Sequence, residues 1–263
     1  MKILHVGDMA GSAAITSNIC SKIGHPSTVI QDKNVETFEH GVYYDNTTYF
    51  NDHDEMLLAI KAAEEIGYDH IVYHDMFKLA VESDDLHLQS SYMFHGNMLR
   101  QNPEIYKKIQ SLESIENIFV TTEDLLVHAP DAELFNRPVD MDLFTSLDIE
   151  KKDIGLCLTQ DRYKKYVLDI IKGNETGVFV VDRVKNKVTY GNMPQILCNY
   201  SYYYDVKFQP THPPTLIEEL SQTGLQALAC KIPVWSCGKW YHKFPERHND
   251  ENSAREFIRV LSE

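Results

Sequence analysis

His95 closes a short apolar strand, Met93 to His95, and is followed by Gly96 and Asn97. In parallel α/β folds the ends of strands are where ligands bind. A lone imidazole there can be a ligand contact or a structural residue, and the context favours the contact. Gly11 and Ser12 sit on the turn Gly7-Asp8-Met9-Ala10-Gly11-Ser12, between an apolar strand and a helix. Glycine lets backbone approach a phosphate or an acceptor, although a plain tight turn reads equally well. The spacing is not G-x-G-x-x-G, so it is a weak phosphate-loop signal. Asp52-His53-Asp54 and Asp84-Asp85 look like D-x-D metal ligands. The first is better read as a helix N-cap with acidic residues that favour the helix dipole. The run from Asn199 to Tyr204 carries four tyrosines and has high strand propensity, which packing explains. An aromatic sugar platform is the other reading. No nucleophile elbow, Walker loop or paired-histidine ligand motif appears.

The elements that position these residues read as two α/β series. Lys2 to Val6 is a buried strand, Ala13 to Ile23 a helix stopped by Gly24, and Ser27 to Gln31 a second strand. His53 to Ile66 is an amphipathic helix, and His70 to His74 a buried strand. Pro103 to Leu112 is helical, Asn117 to Thr121 a strand, and Leu134 to Asp140 an extended crossover. Near residue 145 the pattern restarts, with a strand over Asp153 to Thr159 and a helix over Tyr163 to Lys172. Strands follow at Gly177 to Val181 and Lys187 to Tyr190, a short helix at Pro194 to Asn199, and a strand at Tyr202 to Phe208. Leu216 to Ala229 reads as helical, Pro233 to Ser236 as a strand, and Asn252 to Ser262 as a terminal helix. Strand–helix alternation of this kind predicts parallel sheets.

Composition narrows the function classes. The 263 residues are enough for one large domain or two ordinary ones, and 43% apolar content supports a sizeable core. The net charge of −14 disfavours nucleic acid and anionic lipid as main partners. The five cysteines are scattered and contain no C-x-x-C, which reads as buried thiols in a reducing compartment. The first residues do not form a signal peptide, and no apolar run is long enough to span a membrane. The expected location is the cytoplasm, with peripheral membrane contact left open.

Three segments carry a family likeness. They are MKILHVGDMAGSAA at the start, YMFHGNMLR (Tyr92 to Arg100) with NIFVTTEDLL and LFNRPVDMDLF after it, and TLIEELSQTGLQALACKIPVW (Thr215 to Trp235). Together, in this order, they resemble the large retaining group of GT-B glycosyltransferases, with a shortened C-terminal half. The resemblance implies two Rossmann-type domains facing across a cleft, 1–144 on the acceptor side and 145–263 on the nucleotide-sugar side. It implies a hexosyltransferase-like, metal-independent enzyme with no cofactor, whose nucleotide-sugar donor is a substrate of unknown base. The acceptor is open among glycan, lipid and small molecule.

Site roles follow residue by residue from the resemblance. The turn at Ser221, Gln222 and Thr223 would present amides to the diphosphate, unless the helix already begins at Thr215 and makes these residues helix interior. Glu218 matches the first Glu of an E-x7-E pattern and would lie by the donor sugar; its other reading is a solvated Glu. The second Glu position is Gln226, which can accept from ribose hydroxyls but without charge assistance. Lys231 stands where relatives usually carry Gly. His95 would contact the donor sugar. Gly11 and Ser12 would face the cleft, and Gly191, Asn192 and Met193 would recognise the nucleobase. The usual Arg-to-Lys spacing for diphosphate neutralisation is absent. Arg162 and Lys164 (or Lys165) could substitute, or be an ordinary solvated helix face. Two rivals remain: a non-catalytic relative that binds a sugar nucleotide or serves as an interaction subunit, and an epimerase or phosphorylase of the same fold.

Overall fold

The computed structural model describes residues 1–8, 11–33, 46–172, 177–182, 190–209, 215–217 and 219–263. The chain divides into two compact units, Met1–Pro138 with Asp250–Glu263, and Val139–Asn249. The terminal helix therefore groups with the first unit, whereas the sequence places all of 145–263 in one domain.

Unit 1 begins with β1 (Ile3–Val6), α1 (Ser12–Lys22), β2 (Ser27–Asp32), β3 (Thr47–Phe50), α2 (His53–Lys61) and β4 (His70–His74). It continues with α3 (Phe77–Glu82), β5 (Gln89–Phe94), α4 (Asn97–Gln101), α5 (Glu104–Gln110), β6 (Ile115–Val120) and β7 (Glu133–Leu134). The sheet order is β3-β2-β1-β4-β5-β6-β7, and every pairing is parallel. That is the doubly wound Rossmann order with one added edge strand, and its direction switches between β1 and β4. β1 and β4 are buried along their whole length, as expected of strands covered on both faces.

Unit 2 holds β8 (Lys152–Thr159), α6 (Lys164–Ile171), β9 (Val178–Asp182), α7 (Met193–Cys198) and β10 (Tyr200–Tyr204). There follow β11 (Lys207–Gln209), β12 (Thr215–Ile217), α8 (Gln222–Ala229), β13 (Val234–Ser236) and β14 (Lys239–Tyr241). The main sheet runs β14-β13-β10-β8-β9, parallel except for the β13–β14 pair. Its switch lies between β8 and β10. The tyrosine run forms β10, with Tyr203 and Tyr204 buried.

The last helix, α9 (Asp250–Leu261), buries Phe257 against Phe119 and Phe135, with ring centroids 5.3 and 5.1 Å apart. These apolar contacts tie it to unit 1, as does a hydrogen bond from Ser253 to the Asn136 carbonyl. The helix expected over Leu216 to Ala229 is instead two elements. Thr215–Ile217 pairs antiparallel with Lys207–Gln209, and the helix starts only at Gln222. The Ser221 hydroxyl accepts from the Gly224 amide at 3.0 Å, and this N-cap sets the start. The expected strand ending at Tyr190 lies mostly outside the described residues, and Tyr190 itself opens a 3-10 turn.

Candidate functional site

In unit 1 the strand ends at the β1/β4 switch carry the polar groups. Gly11, at φ 79°, precedes α1 and offers no side chain to cap it. Asp8 takes over that task, with Oδ1 accepting from the Ala13 amide at 2.8 Å and the Ala14 amide at 3.4 Å. Burial pushes its carboxyl up to about 6, against the pull of those two amides. Ser12 is buried, and its hydroxyl has no protein hydrogen-bond partner among the described residues. The α1 turn thus spends two amides on a carboxylate, which leaves it poorly suited to a phosphate.

Asp75 follows β4 directly, in a left-handed conformation at φ 55°. Its Oδ2 accepts from the His95 amide at 3.2 Å, while its buried Oδ1 has no protein partner among the described residues. Burial raises this carboxyl to about 7, opposed by the His95 amide and the Arg100 charge. His95, half-buried at the end of β5, is hydrogen-bonded through Nε2 to Nδ1 of His74 at 2.9 Å. His74 Nε2 in turn meets His5 Nδ1 at 2.8 Å. Burial, then the Arg137 charge, lowers His95 to about 3, so the ring is neutral at physiological pH. Behind it, Gly96 stands at φ 123°, and a Cβ there would lie 2.2 Å from Arg100 Nη1. Arg100 is clamped in turn by Asp124 at 2.7 and 2.8 Å and by Thr122 at 3.1 Å.

In unit 2 the N-terminus of α8 stands beyond the end of β10. Ser221 caps it, Thr223 and Gln226 are buried, and Gln222 is half-buried. Asp205, just past β10, accepts the Ser221 amide through Oδ2 at 2.5 Å. Gly224 makes room for this carboxylate, since a Cβ there would come within 2.4 Å of Oδ2. Lys231 sits at φ 59°, a left-handed conformation that costs a side-chain-bearing residue and that glycine adopts freely.

The remaining expected residues that are described lie on other elements of unit 2. Arg162 is exposed, its guanidinium 4.7 Å from the Tyr163 ring. Lys164 opens α6, also exposed, and borders a shallow surface depression with Lys165, Leu168, Asp169 and Lys172. Gly191 and Asn192 are exposed and Met193 half-buried at the start of α7. Glu218 lies outside the described residues. The structure therefore brings Ser221, Gln222, Thr223 and Gln226 together on one helix and gives His95 partners. It does not join Arg162 and Lys164 to them by any hydrogen bond or ion pair among the described residues. Asp52 caps α2 by accepting the Glu55 amide at 2.9 Å, and Asp84 accepts both the amide and the hydroxyl of Ser114, each at 2.9 Å.

Asp8, Asp75, Asp205, His5 and His74 are the residues that sequence reasoning missed. Each leaves a signal. The three aspartates sit within two residues of the end of an apolar strand. His5 interrupts the otherwise apolar β1, and His74 closes β4, which opens on another buried histidine, His70.

No family model and no curated protein sequence matches the chain. Solved structures do. AviGT4, a glycosyltransferase involved in avilamycin A biosynthesis, is similar at a TM-score of 0.57 and 11% identity, over 100% of this chain and 98% of that one. An alpha-glucosyltransferase in complex with UDP and a 13-mer DNA containing an HMU base is similar at 0.56 and 11%, over 99% and 90%. An alpha-glucosyltransferase with UDP-glucose and DNA containing an abasic site follows at 0.52 and 12%, over 99% and 90%. The fold is α/β with two parallel Rossmann-like sheets, and it matches GT-B glycosyltransferase structures.

Proposed function

We propose that the chain is a metal-independent, hexosyltransferase-like enzyme that moves a sugar from a nucleotide-sugar to an acceptor hydroxyl with retention of configuration. The observation that carries this reading is the N-terminus of α8. It is a Ser-capped helix whose start lies beyond the end of a strand at the switch of a parallel sheet, in a chain whose whole length follows a glycosyltransferase fold. Unit 2 then binds the donor and unit 1 the acceptor. The Ser221 hydroxyl and the amides of Gln222 and Thr223 hold the diphosphate, Gln226 the ribose, and Gly191 to Met193 the base. Glu218 and His95 hold the sugar, and Gly11 and Ser12 border the acceptor. The anomeric C–O bond to the diphosphate breaks as the bond to the acceptor oxygen forms on the same face. The acceptor proton passes to the departing phosphate oxygen, whose charge Arg162 and Lys164 offset. Water is excluded during transfer.

UDP-sugars are the first donors to test, because similar alpha-glucosyltransferase structures hold UDP and UDP-glucose. A DNA acceptor is disfavoured here by the net charge of −14, which leaves glycans, lipids and small molecules, with the reaction in the cytoplasm. Calorimetry against UDP-, GDP- and ADP-sugars, run beside a donor-hydrolysis assay, is the test. Binding with turnover supports transfer, and no binding by any donor overturns it. Binding without turnover would favour a non-catalytic sugar-nucleotide binder, a reading supported by Gln226 and by Lys231 at φ 59°. Glu218→Ala is expected to lose donor binding or turnover, and unchanged kinetics would remove Glu218 from the site.

A further inference from the structure

Three rings in unit 1 form a hydrogen-bonded file: His5 Nδ1 to His74 Nε2 at 2.8 Å, and His74 Nδ1 to His95 Nε2 at 2.9 Å. The first two rings are fully buried, and the last sits half-buried where β5 ends. We propose that His5 and His74 are positioning residues that fix the ring and the proton of His95, so that His95 offers a neutral Nδ1–H donor to an oxygen of the bound ligand. For the identity of that ligand, a sugar, the inference rests on the glycosyltransferase reading above.

Proton counting carries the argument. Three neutral imidazoles own three N–H protons, one each. Each of the two ring-to-ring bonds needs one proton between its nitrogens. The third proton must sit at one end of the file, on His5 Nε2 or on His95 Nδ1. His5 Nε2 is buried and has no hydrogen-bond partner among the described residues. Its neighbour Phe257 is stacked at 25° with centroids 6.1 Å apart, so an in-plane N–H would not aim at the ring face. A buried N–H without an acceptor is rarer in folded proteins than a buried acceptor without a donor, so the bare nitrogen is the end that burial tolerates. At the other end, a proton on the half-buried His95 can reach water or ligand. The third proton therefore belongs on His95 Nδ1, and all three rings are Nδ1–H tautomers.

The surroundings keep the file neutral. Burial first, then repulsion from the Arg137 charge or from any neighbouring ring that took a proton, disfavours a fourth proton. His74 and His70 act on His5, His95 acts on His74, and Arg137 acts on His95. His95 is thus a hydrogen-bond donor and a poor general base, which fits a transfer in which the departing phosphate takes the acceptor proton.

Long-range proton–nitrogen NMR correlation on the full chain, 15N-labelled at histidine and free of ligand, reads the tautomers directly between pH 6.5 and 8. The expected result is protonated Nδ1 and bare Nε2 in His5, His74 and His95. An Nε2–H tautomer or an imidazolium at His95 overturns the inference. A variant pair then tests the cause. His74→Asn keeps an N–H donor near the original Nδ1 and should preserve the His95 tautomer. His74→Phe removes it and should give a tautomer mixture at His95, with a fall of roughly tenfold in kcat against little change in KM for UDP-glucose. An identical His95 tautomer in both variants overturns the positioning role. The wild-type spectrum is decisive even if neither variant folds. It is also independent of donor binding, so failure of the tautomer assignment and failure of the transferase reading are separate outcomes.

Discussion

Unit 1 and unit 2 each set the first turn of a helix beyond a strand end at a sheet switch, and each places an aspartate there. The aspartates do different work. Asp8 reaches past Gly11 and occupies the Ala13 and Ala14 amides of α1. Asp205 accepts the amide of Ser221, the cap residue, and Ser221 in turn caps α8 through Gly224. A carboxylate inside the first turn satisfies the dipole from within the protein, whereas the one at α8 bonds the cap residue that precedes the turn. Under the proposed function, the diphosphate is expected at α8 rather than at Gly11 and Ser12. Titratable character divides the same way. The described histidines and carboxyls shifted strongly by burial all lie in unit 1. In unit 2 burial raises the thiols of Cys157 and Cys230 to about 12, as it does Cys20 in unit 1.

The largest expected effect is acid lability confined to unit 1. His5, His70, His74 and His95 have folded values below their unfolded ones, so their share of stability is present above about 6.5 and is lost as pH falls. Asp8 and Asp75 act oppositely. Their raised values favour folding below about 4 and lose that contribution as pH rises through about 6 and 7. Four histidines outnumber two carboxyls, so the net effect of acidification below about 6.5 should be a loss of stability. Hydrogen exchange resolved by unit should show unit 1 opening first. A flat profile, or earlier opening in unit 2, breaks the contrast.

Gly224→Ala should cost about 1–3 kcal/mol by thermal melt, because its Cβ would collide with a buried carboxylate. It should also weaken UDP binding, since Asp205 would be displaced from beneath the cap. Asp8→Ala should cost about 1–2 kcal/mol, the loss of one helix cap, with UDP affinity unchanged within about twofold. Ser221→Ala should cost about 1 kcal/mol in stability yet lower UDP affinity roughly tenfold. If titration finds the reverse ranking of these two caps, the diphosphate belongs on α1 and the comparison fails. Smallest is Arg162→Ala, with a stability change within about 0.5 kcal/mol for an exposed side chain. Any fall in kcat beyond that places its guanidinium on the departing charge.

Much of this protein is legible in the residue order alone. Strand–helix alternation announces parallel sheets because a buried parallel strand must be apolar on both faces, and β1, β4 and β8 read that way. Asp52 is readable as a cap, and His95 as a strand-end residue, because each role depends only on neighbours a few positions away. The start of α8 is not legible, since Thr215–Ile217 suits either strand or helix until pairing with Lys207–Gln209 decides it. Nor is the owner of α9, which is settled by where Phe257 finds its apolar partners. The file of His5, His74 and His95 spans three strands that are distant in sequence and adjacent only in the sheet. Local pattern fixes what each segment can be. Hydrogen bonds between residues far apart in the chain, which cost the most loop entropy to form, decide which polar groups meet.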